Sequence, residues 1–323
     1  MTNATLSIST RTPSPALRRF AWGVLIYFVA TILWGSIVRS TGSGDGCGNH
    51  WPLCNGTVLQ QSPTMQTIIE FTHRVTAALD LIFVLGLIVW TWRSTVTGHM
   101  ARWAAGAAVF LTLTEGLLGA LLVKLGLTAQ SHSPMRAPFL ALHLSNTLLL
   151  VAALALAAHL LARTQGFRWR DIRVAAPVAT TIGMFAILVV AVTGSLAALG
   201  DTLFPATSLS ESLSQDLSST SNWLVRWRWT HPAIAVLAAV FVIWLLVRAA
   251  RPGARETWDN RRLSALIIVL LVAQYVLGLV DVWLLAPVWM QVLHLLGADA
   301  LWSALVVLAA RLTLVPAAKT SHF

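Results

Sequence analysis

Eight long hydrophobic runs constrain this chain more than any other feature of its sequence. Each is close to or above the roughly 20 residues that a helix needs to cross about 30 Å of hydrocarbon. Because 57% of the 323 residues are hydrophobic and only 11% are charged, a water-soluble domain would expose too much apolar surface. The sequence therefore predicts an all-α integral membrane protein with eight transmembrane helices. The runs cover residues 20–38, 67–92, 103–123, 137–162, 174–199, 227–249, 264–285 and 287–311.

The basic residues are distributed unevenly between the two sides of this topology. One side holds sixteen of the 22: Arg11, Arg18, Arg19, Arg93, Arg102, Arg163, Arg168, Arg170, Arg173, Arg248, Arg251, Arg255, Arg261, Arg262, Arg311 and Lys319. The other side holds Arg39, Arg74, Lys124, Arg136, Arg226 and Arg228. The positive-inside rule makes the richer side cytoplasmic, with both termini there. The net charge of +10 does not indicate a nucleic-acid partner, because the basic residues are spread over short loops without a binding module.

Four histidines fall at one depth, each about two turns inside an even-numbered run, at His73, His143, His231 and His294. A polar side chain within a span needs a partner or a cavity. Haem iron is often held by two imidazoles from facing helices. Zinc would need more ligands of Cys, His or carboxylate type nearby, and copper favours Cys and Met. The four histidines therefore predict two bis-histidine haem sites near the outer membrane surface.

The second half of the chain repeats features of the first. The segment around His73 matches that around His231 at an offset of 158 residues, and Leu142-His143-Leu144 matches Leu293-His294-Leu295 at 151. Leu118-Gly119 matches Leu277-Gly278, and Gly35-Ser36 matches Gly194-Ser195, both at 159. Four spans plus four in the same orientation predict two repeated four-helix bundles, each with one histidine pair. The predicted division is a cytoplasmic tail at 1–19, an N-terminal half at 20–163 and a C-terminal half at 164–323.

The two largest outer connections, 39–66 and 200–225, are candidate lids or binding surfaces because they are long and carry no obvious secondary structure. Cys47 and Cys54 share the first of them on an oxidising face, where a disulfide is expected. Two free thiols and a purely structural disulfide remain open alternatives to a redox role.

Several charged residues near the spans have two interpretations. Glu70 lies one helical turn before His73, so it could act on a porphyrin edge or face water at the start of a helix. Asp80, Glu115 and Asp299 lie deeper and could be paired structural groups or line a water path. The outer arginines 74, 136, 226 and 228 could neutralise haem propionates or anchor the helices at the interface.

The first outer loop and the head of the second span resemble those of the haem A synthase family. The resemblance rests on Gly35-Ser36-Ile37-Val38-Arg39-Ser40-Thr41-Gly42-Ser43-Gly44, Cys47, Trp51-Pro52-Leu53-Cys54-Asn55-Gly56 and Glu70-Phe71-Thr72-His73-Arg74. It extends over nearly the whole chain, since the eight spans, the duplicated halves and the four histidines also match. The chain departs from some members in lacking a second cysteine pair in 200–225, and in reading Gly48-Asn49-His50-Trp51 in the first loop.

The resemblance implies an oxidoreductase of the class acting on CH or CH₂ groups, which oxidises the C8 methyl of haem O to the formyl of haem A with oxygen from water. It implies haem b as cofactor on His231 and His294, the substrate porphyrin on His73 and His143, and Glu70 in the chemistry. The cysteine pair is implied to assist electron or proton handling. The expected partners are haem O, haem O synthase, membrane lipid, an unidentified electron acceptor and a second copy of the chain.

The same features leave two alternatives open. A dihaem electron-transfer protein would share every histidine but would need neither Glu70 nor an exchangeable porphyrin. A transporter with repeated bundles would fit the spans but not the histidines. The expected location is the bacterial cytoplasmic membrane, with the mitochondrial inner membrane as second choice. The Ser/Thr-rich tail is interpreted as cytoplasmic rather than as a transit peptide.

Overall fold

The computed structural model describes residues 13–58, 61–129, 131–163, 172–174, 177–249 and 258–316. The predicted N-terminal tail up to residue 12, and Arg168, Arg170, Arg251, Arg255 and Lys319 among the predicted inner basic residues, lie outside these ranges. The helices are α1 (Pro15–Ser40), α2 (Met65–Ser94), α3 (Met100–Lys124), α4 (Arg136–Ala162), α5 (Pro177–Leu203), α6 (Leu209–Leu217), α7 (Trp223–Arg226), α8 (Thr230–Ala249), α9 (Trp258–Trp283) and α10 (Val288–Thr313). A 3₁₀ turn spans Ser43–Asp45, and two short strands, β1 (Ile172–Val174) and β2 (Leu314–Pro316), pair antiparallel.

Within the described residues, eight helices are long and apolar enough to cross a membrane, which confirms the predicted class. Large apolar side chains on them, such as those of Ile26, Phe110, Leu237 and Leu279, are more than 60% exposed. Such surface is stable against lipid but not against water. The chain is therefore a multi-pass membrane protein.

Local sequence signals set the helix starts. Ser14 caps α1 by accepting a hydrogen bond from the backbone N–H of Leu17, with Pro15 at the first helical position. Thr64 caps α2 in the same way. Because Ser14 caps α1, this helix begins at Pro15, five residues before the hydrophobic run that predicted it.

The sixth predicted span and the second long outer loop differ from expectation. The chain enters this span through the single turn of α7 and bends at residues 227–229 before α8, so His231 is the second residue of its helix. The connection 200–225 is not without structure, because α5 extends into it and α6 forms there. Ser208 caps α6 by accepting from the N–H of Glu211.

The four long helices of the N-terminal half pack in a closed ring, in which α1 contacts α2 and α4, and α3 contacts α2 and α4. In the C-terminal half α5, α8, α9 and α10 follow the same cyclic order, but α8 touches α9 at few positions. This order is consistent with the predicted repeat.

The two halves are joined mainly by α4, α5, α1 and α10. Near the outer end, the Arg39 guanidinium donates to the Ala198 carbonyl and Thr202 hydroxyl at 3.0 Å and to Gln291 Oε1 at 2.8 Å. Deeper, the indole N–H of Trp302 donates to the Leu148 carbonyl at 2.7 Å. These polar contacts fix the relative position of the halves, because unpaired polar groups are costly in hydrocarbon.

Candidate functional site

Each of the four predicted histidines lies against a glycine on the long helix that precedes its own. A Cβ at Gly194 would lie 2.8 Å from Cε1 of His231, and a Cβ at Gly35 would lie 2.9 Å from Cε1 of His73. A Cβ at Gly278 would lie 3.4 Å from Cε1 of His294, and a Cβ at Gly119 would lie 3.9 Å from Cε1 of His143. The absence of a side chain thus makes room for the imidazoles of His231 and His73 between two helices, whereas at the other two places a Cβ would make an ordinary contact. The pairs are Gly35 and His73, Gly119 and His143, Gly194 and His231, and Gly278 and His294.

In the C-terminal half, the histidines of α8 and α10 face each other. The ring centroids of His231 and His294 are 6.3 Å apart, with the ring planes at 90°. An imidazole nitrogen binds a transition metal at about 2 Å, so two axial imidazoles on one ion place their nitrogens ~4 Å apart and their ring centres ~6 Å apart. Nδ1 of His231 lies 3.1 Å from the Val190 carbonyl, and an N–H there leaves Nε2 as the metal-binding nitrogen. This pair therefore fits a bis-histidine haem.

In the N-terminal half, His73 lies on α2 and His143 on α4, the two helices that are opposite each other in the ring. Nδ1 of each ring is buried without a hydrogen-bond partner. Buried polar groups are normally paired, so two unpartnered imidazoles on facing helices are an available donor set for a metal. No group of three or more His, Cys, Asp or Glu side chains that could hold a metal ion occurs in the described ranges. The two imidazoles are donors of the type that can ligate porphyrin iron.

Glu70 is buried, with only 3% of its surface exposed, so the interpretation of it as an interfacial residue facing water is wrong. Its Oε2 accepts from the backbone N–H of Cys47 at 2.8 Å, and its Oε1 accepts from the Arg74 guanidinium at 2.5 Å. A carboxylate has about four acceptor positions, so further contacts remain open to it. A buried, partly compensated carboxylate one turn from His73 is placed to act on a group bound there.

The first outer loop is fastened to the head of α2. Cys47 and Cys54 are buried, and their sulfurs lie 1.97 Å apart, at disulfide-bond distance. Besides binding Glu70, Arg74 donates to the carbonyls of His50 at 2.5 Å and Leu53 at 2.7 Å. The loop that carries the cysteines therefore forms one wall of the site around Glu70.

Among the outer arginines, Arg74 and Arg228 form ion pairs with acidic side chains, whereas Arg136 is buried with one nitrogen unpartnered. Arg228 binds Asp201 and Asp216, each at 2.7 Å, and Arg74 binds Glu70, so neither is a free cation for a propionate. Arg136 is 97% buried, donates to the Ser131 carbonyl, and leaves Nε without a partner.

The deeper acids also differ from one another. Asp80 and Asp299 are buried, and Asp80 Oδ1 and Oδ2 and Asp299 Oδ2 have no hydrogen-bond partner. Glu115, by contrast, is bound by Asn146 and Thr147 of α4. Sequence reasoning missed these two residues. Their positions three and four residues after His143, on the same helix face, were the signal that could have found them.

Fold and site together define a multi-pass helical membrane protein with two histidine pairs suited to bind porphyrin iron. The sequence model of the cytochrome oxidase assembly protein family COX15-CtaA matches residues 18–306. The chain belongs to this family, which confirms the predicted resemblance to haem A synthases.

The chain is also similar to individual bacterial proteins. It is 44% identical over 295 residues to a protein of Thermus thermophilus named protoheme IX farnesyltransferase, a match covering 91% of this chain and 48% of the relative. It is 39% identical over 134 residues to the heme A synthase of Alkalihalophilus pseudofirmus, covering 42% of this chain and 41% of that one. For the heme A synthase of Halalkalibacterium halodurans the identity is 36% over 152 residues, covering 47% of each chain. The chain thus spans about half the length of the Thermus relative.

Proposed function

We propose that this chain is a haem A synthase, which oxidises the C8 methyl of haem O to a formyl group for use in terminal oxidases. The observation that carries the proposal is the histidine pair of α2 and α4 with a buried carboxylate, Glu70, one turn from His73. A protein that only carried electrons would need two imidazole pairs but no buried carboxylate at one of them. Membership of the cytochrome oxidase assembly family supports the same substrate class.

The two halves have different roles in this proposal. His231 and His294 hold haem b, and His73 and His143 hold the substrate porphyrin. Haem supplies the electron transfer, while the protein positions the porphyrins and tunes them. The Val190 carbonyl orients the ring of His231, and Gly194 and Gly35 leave space for the rings of His231 and His73 against the neighbouring helices.

Glu70 acts on charge and protons at the substrate edge. Converting a methyl and one water to a formyl group releases four electrons and four protons, by way of a hydroxymethyl and a geminal diol that loses water. Loss of electrons from the carbon next to the porphyrin develops positive charge, which a nearby carboxylate stabilises. Glu70 can also accept a proton as a general base, because its carboxylate keeps acceptor positions beyond those used by the Cys47 N–H and Arg74.

The proposal extends to the surroundings of the site. The Cys47–Cys54 pair, next to Glu70, assists electron or proton handling at the outer face. Haem O synthase is the partner that supplies the substrate, a role supported by the Thermus relative named for farnesyl transfer to protohaem. The protein lies in a bacterial cytoplasmic membrane with both termini inside, in contact with lipid and an electron acceptor, and with a second copy of itself as a further partner.

The experiment that tests the proposal replaces Glu70 by Gln and measures the haems made in cells that supply haem O. Gln keeps the size and can still accept from the Cys47 N–H, but it removes the charge. We expect haem b to be retained and haem A output to fall by about 10²–10³-fold, by analogy with loss of one preorganised contact to a developing charge. Haem O or its hydroxylated derivative should accumulate, as read by chromatographic separation of the extracted haems.

The matched control is Glu211→Gln, which removes a carboxylate from the exposed helix α6 and should leave haem A output unchanged. Wild-type haem A output from the Glu70 variant would contradict the proposed role of Glu70. If the wild-type protein binds two haems but makes no haem A when given haem O and an oxidant, it is a dihaem electron carrier instead.

A further inference from the structure

A polar cluster inside the membrane links α3 to α4 beside the N-terminal histidine pair. The Asn146 amide donates to Glu115 Oε2 at 2.5 Å and to the Leu111 carbonyl at 2.9 Å, and Thr147 donates to Glu115 Oε1. Thr114 donates to Asn146 Oδ1 at 2.7 Å. Such a cluster is expensive to build in hydrocarbon, so its members hold one another in fixed positions.

The cluster is aimed at His143. Glu115 Oε1 lies 3.6 Å from His143 Nδ1, slightly beyond hydrogen-bond distance, and that buried nitrogen has no other partner. Contacts of this kind are often long in a protein without its ligand and shorten when the ligand binds. The Thr147 hydroxyl, which contacts Glu115, also lies 2.9 Å from the His143 carbonyl and shares its single hydrogen between them, so one residue lies against both the carboxylate and the backbone of the histidine.

The C-terminal half has no such cluster at the related positions. The offsets of 159 for the third and seventh spans and 151 for the fourth and eighth place Thr114, Glu115, Asn146 and Thr147 opposite Ala273, Gln274, Gly297 and Ala298. A Cβ at Gly297 would lie 2.1 Å from Gln274 Nε2, so the neutral amide fills the space that Asn146 occupies in the other half. Nδ1 of His294, the counterpart of His143, is buried there without a hydrogen-bond partner.

We propose that Glu115 is a positioning residue that holds His143 with its Nδ1–H toward the carboxylate, directs Nε2 at the substrate porphyrin, and lowers the reduction potential of that site below that of the haem b site. The inference rests on the proposed function, since it needs a porphyrin on His143. A carboxylate behind a ligating imidazole fixes its tautomer and makes it a stronger donor, which stabilises the oxidised metal. Electrons taken from the substrate side then pass downhill to the C-terminal pair.

The test is the variant Glu115→Gln, which places in the N-terminal half the residue type found at the related position of the C-terminal half. Both sites of the purified protein are filled with protohaem, and the two reduction transitions are followed by potentiometric titration. The N-terminal transition is assigned as the one lost in His143→Ala. In Glu115→Gln we expect this transition to move to higher potential while the other stays in place, and protohaem affinity of that site to fall about 10–100-fold. Glu211→Gln on the exposed α6 is the charge-matched control and should move neither.

The haem-free wild-type protein supplies a second measurement that does not depend on the variant folding. Nitrogen NMR of its histidines should show that His143 carries a proton on Nδ1. The Nε2–H tautomer, or an unmoved N-terminal transition in Glu115→Gln, overturns the inference while leaving the proposed function intact. Wild-type protein that takes up no protohaem on either pair overturns the proposed function as well, so the two failures are distinguishable.

Discussion

If His231 holds haem b as proposed, replacing Gly194 by Ala should weaken haem b binding without unfolding the protein. The new Cβ would lie 2.8 Å from Cε1 of His231, so the ring has to move away by about 0.6 Å to reach an ordinary contact of 3.4 Å. Forcing a methyl into a packed site costs about 1–3 kcal/mol. The helix itself gains, because Ala is about 1 kcal/mol better than Gly within a helix. The free-energy cost of the new contact therefore falls on the position of His231 and on haem binding rather than on the stability of α5.

The expected loss of haem b affinity depends on how far the ring of His231 can move before it no longer binds the iron. A ligand displaced by more than about 0.5 Å no longer keeps a productive geometry. At 1.4 kcal/mol per factor of ten, the contact cost corresponds to haem b affinity weakened roughly 5- to 150-fold. The effect of Gly→Ala should decrease as the spacing increases, from Gly194 at 2.8 Å through Gly278 at 3.4 Å. Gly119, at 3.9 Å in the N-terminal half, should be tolerated.

The assay is haem B content per mole of purified protein, with the low-spin absorption spectrum as a second readout. Gly23→Ala in α1 is the matched control, because a Cβ there meets nothing within 4 Å. Its haem content should equal that of the wild type. Gly194→Ala protein with a full complement of haem b and an unaltered spectrum would refute the argument that this glycine makes room for a ligating imidazole.

Three further predictions concern the histidines, the cysteines and a helix cap. Replacing His231 or His294 by Ala should abolish the bis-histidine haem B spectrum, and retention of that spectrum in both variants would exclude them as its ligands. Mass mapping of unreduced protein should find Cys47 joined to Cys54, since both lie in one short outer loop, whereas two freely alkylated thiols would argue against it. Burial, and then Arg102, lower the pKa of His99, whose Nδ1 caps α3 by accepting from the Ala101 N–H at 3.1 Å. The cap therefore stabilises the protein above the ordinary pKa of 6.5 and is lost as the pH falls below it, so thermal stability in detergent should decline less between about pH 7.5 and 5.5 in His99→Asn than in the wild type. Equal declines in the two proteins would show that His99 is not the titrating group.

The sequence by itself determined the class and the number of spans. A run of about 20 apolar residues has few alternatives to a helix in hydrocarbon, since its backbone can be satisfied only within the segment. The depth of the four histidines and the spacing of Glu70 from His73 followed from the same one-dimensional pattern. Helix caps and breaks were harder to predict from the sequence. The cap at Ser14 and the bend before His231 depend on a few local contacts rather than on hydrophobic periodicity.

Only the tertiary structure decided what each charged residue touches. The sequence left Glu70 between a site residue and an interfacial one, and burial under the loop of Cys47 resolved the choice. It also left Glu115 undecided, because the partners Asn146 and Thr147 lie 31 and 32 residues away on another helix. Pairings of this kind depend on how two helices rotate against each other. The hydrophobic pattern determines which face of a helix is apolar. How two helices pack is set by contacts such as that of Gly194 with His231, and the packing then determines which polar side chains meet.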